Sequence, residues 1–116
     1  MIPGKYRFHS RGGIKHAHSK GRQIRGGKAS LVVVSDTGRK ASRFAVVVSK
    51  KVLKTAVGRN RIRRRIYEVV RLEMPKFGGQ HDVLIMVFDK DIKDMAHHEL
   101  KTLLVGLFKS ANLYKS

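Results

Sequence analysis

Apolar residues follow two different rhythms along the chain. Leu31 to Ser35 and Phe44 to Ser49 are β-branched runs of strand length, joined by a polar connector whose Asp36-Thr37-Gly38 is a turn signal. Together they predict an antiparallel pair. The period then changes: Ile62, Ile66, Val69 and Val70 fall at i, i+4, i+7 and i+8, the stripe of an amphipathic helix. Its expected start is near Thr55, and Pro75 and the Phe77-Gly78-Gly79 loop stop it. Val83 to Phe88 is a continuous apolar run between Gly79 and Asp89, the pattern of a central strand buried on both sides. Leu100, Leu103, Leu104, Leu107, Phe108 and Ala111 return to helical spacing after Asp94, read as an N-cap, and predict a C-terminal helix packed on the sheet. In the first thirty residues Gly4, Gly12, Gly13, Gly21, Gly26 and Gly27 leave room only for a short helix around Ile14 to Lys20. No internal repeat is visible. The order predicts one domain over residues 1–116, an α/β (α+β) two-layer sandwich with a mixed sheet of about four strands.

Composition fits that reading and sharpens it. With 41% apolar and 29% charged residues in 116, one core can form without staples. The absence of cysteine excludes disulfides, thiolate zinc sites and a cysteine nucleophile together. No apolar run approaches the twenty or so residues of a membrane span, and the N-terminus lacks a signal-peptide core, so a cytoplasmic protein is expected. The charge distribution is the informative quantity. Residues 1–71 hold 20 of the 26 Lys and Arg with only Asp36 and Glu68 as acids, so the whole net charge of +18 lies there and residues 72–116 are neutral. A solubilising surface would mix acids with bases. This asymmetry instead implies a polyanionic partner, and nucleic acid is the obvious one.

The helix between Thr55 and Pro75 concentrates that charge. At about 100° per residue, the face opposite the aliphatic stripe collects Asn60, Arg64, Tyr67 and Arg71, flanked by Arg61 and Arg63. Lys50, Lys51 and Lys54 extend the positive field to the helix start, where the backbone dipole adds to it. Like charges at i and i+4 repel, so an arginine face of this density implies phosphate against it.

The run Val46-Val47-Val48-Ser49-Lys50-Lys51-Val52, then Ala56-Val57, then Arg59-Asn60-Arg61-Ile62-Arg63-Arg64-Arg65 closely resembles the signature of the bacterial ribonuclease P protein subunit. In that family a strand ending in Ser-Lys-Lys leads through a short spacer into an Arg-Asn-Arg helix. The likeness extends more weakly over nearly the whole chain. It implies a small subunit that assists a catalytic RNA in removing the 5′ leader of precursor tRNA, with Mg2+ bound mainly by RNA and no further protein required. It also implies a left-handed crossover through the basic helix, against the general rule for parallel βαβ units. Carried over by position, Lys50, Lys51, Arg59, Asn60, Arg61, Arg63, Arg64 and Arg65 would lie on or near the catalytic RNA, and the charge field and the outward helix face add Lys54 and Arg71 to the RNA-binding candidates. The family binds the leader between the short N-terminal helix and the sheet, using aromatic side chains. Here those positions are Ile14 and His18, which either pack the helix or meet a base less well than Phe, with Phe8 and Tyr6 as aromatic neighbours.

Two other readings compete. A self-sufficient nuclease needs a general acid and base or a carboxylate metal cage, but Asp89, Asp91 and Asp94 lack ligand-like order. His16 with His18, and His97 with His98, cannot share a helix face. Ser35 and Ser49 lack a base, so no catalytic residue and no metal ligand is expected in the protein. A ribosomal or generic RNA-binding protein fits charge and size equally well; the Ser-Lys-Lys and Arg-Asn-Arg order separates them. DNA reading is disfavoured by the lack of a helix-turn-helix or dimerising segment.

Overall fold

The computed structural model describes residues 21–35, 42–78 and 81–114. Its elements are β1 (Arg22–Ile24), β2 (Ala29–Ser35), β3 (Arg43–Val48), α1 (Ala56–Glu73), β4 (His81–Val87) and α2 (His97–Ser110), with 3-10 turns at Met74–Lys76 and Lys90–Lys93. The short N-terminal helix, the Asp36-Thr37-Gly38 turn and the leader-site candidates Phe8, Ile14 and His18, with Tyr6, lie outside the described residues.

The architecture is α+β, a four-stranded mixed sheet with a central and a C-terminal helix. The strand order is β1-β2-β4-β3, which corrects one expectation: β2 and β3 do not pair with each other. Instead β4 lies between them, antiparallel to β2 and parallel to β3. The most continuously apolar strand takes the centre because only there are both faces covered. A parallel pair cannot be closed by a tight turn, so the chain from β3 to β4 runs through α1. Arg43 and Asp82 are register partners in that pair, and their side chains close a fork of two hydrogen bonds at 3.1 and 3.0 Å.

Strand β1 has no signal in the hydrophobic pattern, being three residues, Arg-Gln-Ile, at the sheet edge. A basic residue on an edge strand opposes further strand addition. Here Arg22 also donates to the Ala111 carbonyl at 2.7 Å, tying the edge to the end of α2.

Both helices cover one face of the sheet. Leu31, Val33, Phe44, Val83 and Ile85 from that face meet Ile62, Ile66, Val69 and Val70 of α1 and Leu100, Leu104 and Phe108 of α2. Phe77 closes one end of this core, its ring 5.2 Å from Phe108 at 79° and 5.1 Å from Tyr114, in tilted and edge contacts that aromatic quadrupoles favour. On the other face Val32, Ala45 and Leu84 are also buried, with Val34, Val47 and Met86 partly so.

Two details depart from the pattern. Asp94 does not cap α2; it ends the 3-10 turn, and α2 starts at His97 behind Ala96, with no side-chain cap bond. Asp89 caps the 3-10 turn instead, accepting from the Asp91 amide at 2.9 Å. At its other end α2 closes through Asn112 at φ 58°. Leu113 and Asn112 there donate to the Phe108 and Lys109 carbonyls, a Schellman arrangement that a small polar residue tolerates.

A candidate nucleic-acid interface

The basic surface is built at the β3-to-α1 junction. After Val48 the backbone turns on the Ser49 carbonyl, which accepts from Val52 and Leu53 at 3.1 and 3.3 Å. That turn leaves Lys50, Lys51 and Lys54 exposed. Thr55 is the N-cap, its hydroxyl accepting from the Gly58 amide at 3.2 Å, as expected from the sequence. Gly58 is needed for space: a Cβ there would lie 2.5 Å from Leu53 Cδ2 and 2.8 Å from Thr55 Oγ1. The first turn carries no acid, so nothing local neutralises the positive helix end.

The arginines divide into two groups. Arg59 donates to the Leu53 and Lys54 carbonyls at 2.9 and 2.8 Å, bracing the turn that carries the lysines. Arg65 reaches the other way, donating to the Ile92 and Lys93 carbonyls at 2.7 and 2.9 Å and also to that of Met95. Arg61 donates to the Lys93 carbonyl at 3.1 Å and stands 4.0 Å from Asp94. Arg71 pairs with Glu68 at 2.5 Å, and that hydrogen bond holds the Glu68 carboxyl below its usual range. Arg63 instead donates to Asn60 Oδ1 at 2.9 Å. Arg64 is exposed and has no hydrogen-bond or ion-pair partner among the described residues.

Tyr67 departs from the expected exposed face. It is 7% exposed and belongs to the main core, because the buried arc of α1 is wider than the four aliphatic positions define. The outward stripe is therefore Val57, Asn60, Arg61, Arg64 and Arg71, with no aromatic ring. Val57, Asn60, Arg63 and Arg64 line a shallow groove of about 320 Å3.

A second concavity, about 420 Å3, lies beside the other sheet face, lined by Gln23, Arg25, Gly26, Ser30, Val32, Met86 and Phe88. Phe88 was expected inside the buried strand. It stands just past the end of β4, 52% exposed, with its amide held by the Lys28 carbonyl at 2.9 Å. Its place in an apolar run disguised it.

No group of three or more metal-ligating side chains occurs among the described residues. The acids expected to form a solvated turn are matched with cations: Lys28 lies 3.4 Å from both Asp89 and Asp91, and Asp94 is near Arg61 and Lys93. Asp89 is held below the usual carboxylate range by the Asp91 amide against the opposing effect of burial, with Lys28 adding to the shift. No helix among the described residues is long and apolar enough to cross a membrane.

The family described as Ribonuclease P matches residues 2–112. The ribonuclease P protein component of Microcystis aeruginosa is 32% identical over 110 residues, spanning 90% of this chain and 92% of that protein. The component of Dictyoglomus thermophilum is 36% identical over 87 residues, 74% of this chain and 72% of that one. Among solved structures, the RNase P protein of Staphylococcus aureus superposes with a TM-score of 0.83 at 22% identity, covering 95% of this chain and 98% of that one. That of Thermotoga maritima, bound to 1-(4-fluorophenyl)-2-thiourea, gives 0.78 at 19%, covering 89% and 97%. At such identities these two likenesses are of fold.

Proposed function

Because the chain belongs to the ribonuclease P protein family, a component of the tRNA-processing enzyme, we propose that it docks the β3–α1 junction on the enzyme's catalytic RNA. There it assists magnesium-dependent removal of the 5′ leader from precursor tRNA in the cytoplasm. The observation that carries this reading is the strip of exposed Lys50, Lys51, Lys54 and Arg64 with the half-buried Arg63, on a junction whose turn is tied to the helix by Arg59. Arg59 and Arg65, engaged with backbone carbonyls, hold the strip in place. Arg61 and Arg71 keep part of their surface for RNA, at 57% and 50% side-chain exposure. Fixed guanidinium and ammonium groups at a helix start are suited to phosphate.

The precursor's single-stranded leader lies along the other sheet face, where Phe88 offers a ring for base stacking and Arg25 a cation. By resemblance to the family, Phe8, Ile14 and His18, which lie outside the described residues, are this chain's further candidates for contact with the leader. Chemistry is left to the RNA. The carboxylates that a protein nuclease would use to bind metal are matched with Lys28, Arg61 and Lys93, so magnesium is held by RNA phosphates and this chain contributes positioning and charge.

The test is reconstitution. Added to the cognate catalytic RNA at low magnesium, the protein should restore 5′ leader removal, while alone it should cleave nothing. If cleavage by the RNA is unchanged by the protein, the subunit assignment fails and a generic RNA-binding role remains.

A further inference from the structure

Val57 is the exception on the outward stripe of α1. It is 77% exposed, where an isopropyl group adds nothing to the core, and it floors the 320 Å3 groove whose other lining residues are Asn60, Arg63 and Arg64. That volume is at the lower limit of the ~300–1,000 Å3 typical of small-ligand sites. It suits one flat ring and is too small for a duplex. A phosphate gains nothing from an apolar floor, whereas the face of a base does.

The polar groups add selectivity. A guanidinium can only donate, so the 2.9 Å bond from Arg63 fixes the Asn60 amide with Oδ1 toward Arg63 and Nδ2 turned away as a donor. Arg64 supplies further donors and has no hydrogen-bond or ion-pair partner among the described residues. The groove therefore presents donors around an apolar floor. Guanine offers two adjacent acceptors, N7 and O6, whereas adenine places its N6 donor beside N7.

The geometry points to a base pocket: an unstacked guanine of the partner RNA lies on Val57, with its N7 and O6 edge toward Asn60 and Arg64. This rests on the docking of α1 against RNA proposed above, and adds that the face reads one unpaired base as well as phosphates.

The experiment measures binding of the full chain to short single-stranded oligouridine probes carrying one central guanine, adenine or abasic site, by fluorescence anisotropy across a salt series. Guanine should bind about tenfold more tightly than the abasic probe, with adenine between them. Val57→Ala should abolish the difference and leave the salt slope unchanged, since no charge is lost. Arg64→Ala should reduce the slope by about 0.7. Thermal melts confirm that both variants fold. Equal affinity for the guanine and abasic probes overturns the pocket, as does a guanine preference that survives Val57→Ala and so belongs to another surface. In both cases a reduced slope for Arg64→Ala leaves the docking face standing; an unchanged slope removes that face itself, and the pocket with it.

Discussion

Arg65 looks like a phosphate ligand in the sequence, and in the fold its guanidinium is also engaged with backbone. Its donors meet the carbonyls of Ile92, Lys93 and Met95, groups that no side chain at position 65 without several donors could satisfy together. Arg65→Leu should destabilise the domain by about 2 kcal/mol, the scale of hydrogen bonds from a charged group, with no change in the salt dependence of RNA binding. Urea unfolding and a salt titration check both; a slope reduced by about one would return Arg65 to the RNA surface. Gly58 is a second such position. Alanine there gains up to about 1 kcal/mol of helix propensity, but a Cβ 2.8 Å from Thr55 Oγ1 and 2.5 Å from Leu53 Cδ2 endangers a cap worth about 1 kcal/mol and overpacks by about 1–3 kcal/mol. Gly58→Ala should thus lose about 1–3 kcal/mol net in the same unfolding assay. Glu73 makes the third case through pH. Burial raises its pKa, but hydrogen bonds from Lys76 at 3.1 Å and Tyr114 at 3.0 Å outweigh that and hold it below the usual carboxylate range. A depressed folded pKa gives stability that is complete above the unfolded carboxylate range and is lost as pH falls through the folded value. Glu73→Gln should therefore flatten the acid limb of the stability curve below about pH 4.3; an unaltered limb would assign acid sensitivity to other carboxylates.

Helix α1 shows how much of an element can be read before its neighbours are known. Thr55 as its cap, its end before Pro75 and the aliphatic stripe all follow from local chemistry, and they appear as expected. Ile66, 0% exposed against the sheet, gives the sharpest check at this scale. Ile66→Asp places an unpaired charge in the core, a cost comparable to a total stability of about 5–15 kcal/mol, and circular dichroism should show an unfolded chain; a folded variant would mean the buried face has been misplaced. Pairwise relations were not legible. Tyr67 lies near the edge of the helical arc, and only the packed core decides that it is buried. The arginines are identical in the sequence, yet some meet backbone carbonyls and Arg64 does not, because the acceptors at Ile92 and Lys93 arrive from a turn about 27 residues away. Strand order is hidden in the sequence for the same reason: two β-rich runs joined by a turn signal suit a hairpin, but the most apolar strand, β4, occupies the place between them. Strand β1 leaves no signature in the sequence because three residues at an edge carry no period.

The net charge of +18 belongs to the whole molecule. Among the described residues Glu68, Glu73, Asp82, Asp89, Asp91 and Asp94 each stand in an ion pair, Asp89 and Asp91 sharing Lys28, so few carboxylates are left to offset the excess cations, which are concentrated upstream of Leu72 and repel one another. The reach of that repulsion depends on salt. The principal extents are 36, 30 and 26 Å, so at 0.01 M salt, with a Debye length of about 30 Å, cations at opposite ends of the molecule still interact, whereas at 0.15 M, with about 8 Å, only neighbours do. The compact state concentrates these charges more than the unfolded chain does, so screening favours folding. The melting temperature should therefore rise between these two salt concentrations, by about 4–8 °C for each kcal/mol of repulsion removed. RNA should produce a larger rise at low salt, since it binds the folded surface and neutralises it together. A melting temperature indifferent to salt would mean that the cations are too dispersed to repel. The strip at the β3–α1 junction would then owe its affinity to a few direct contacts, and the low-salt gain on adding RNA would shrink to what Lys50, Lys51, Lys54, Arg63 and Arg64 provide.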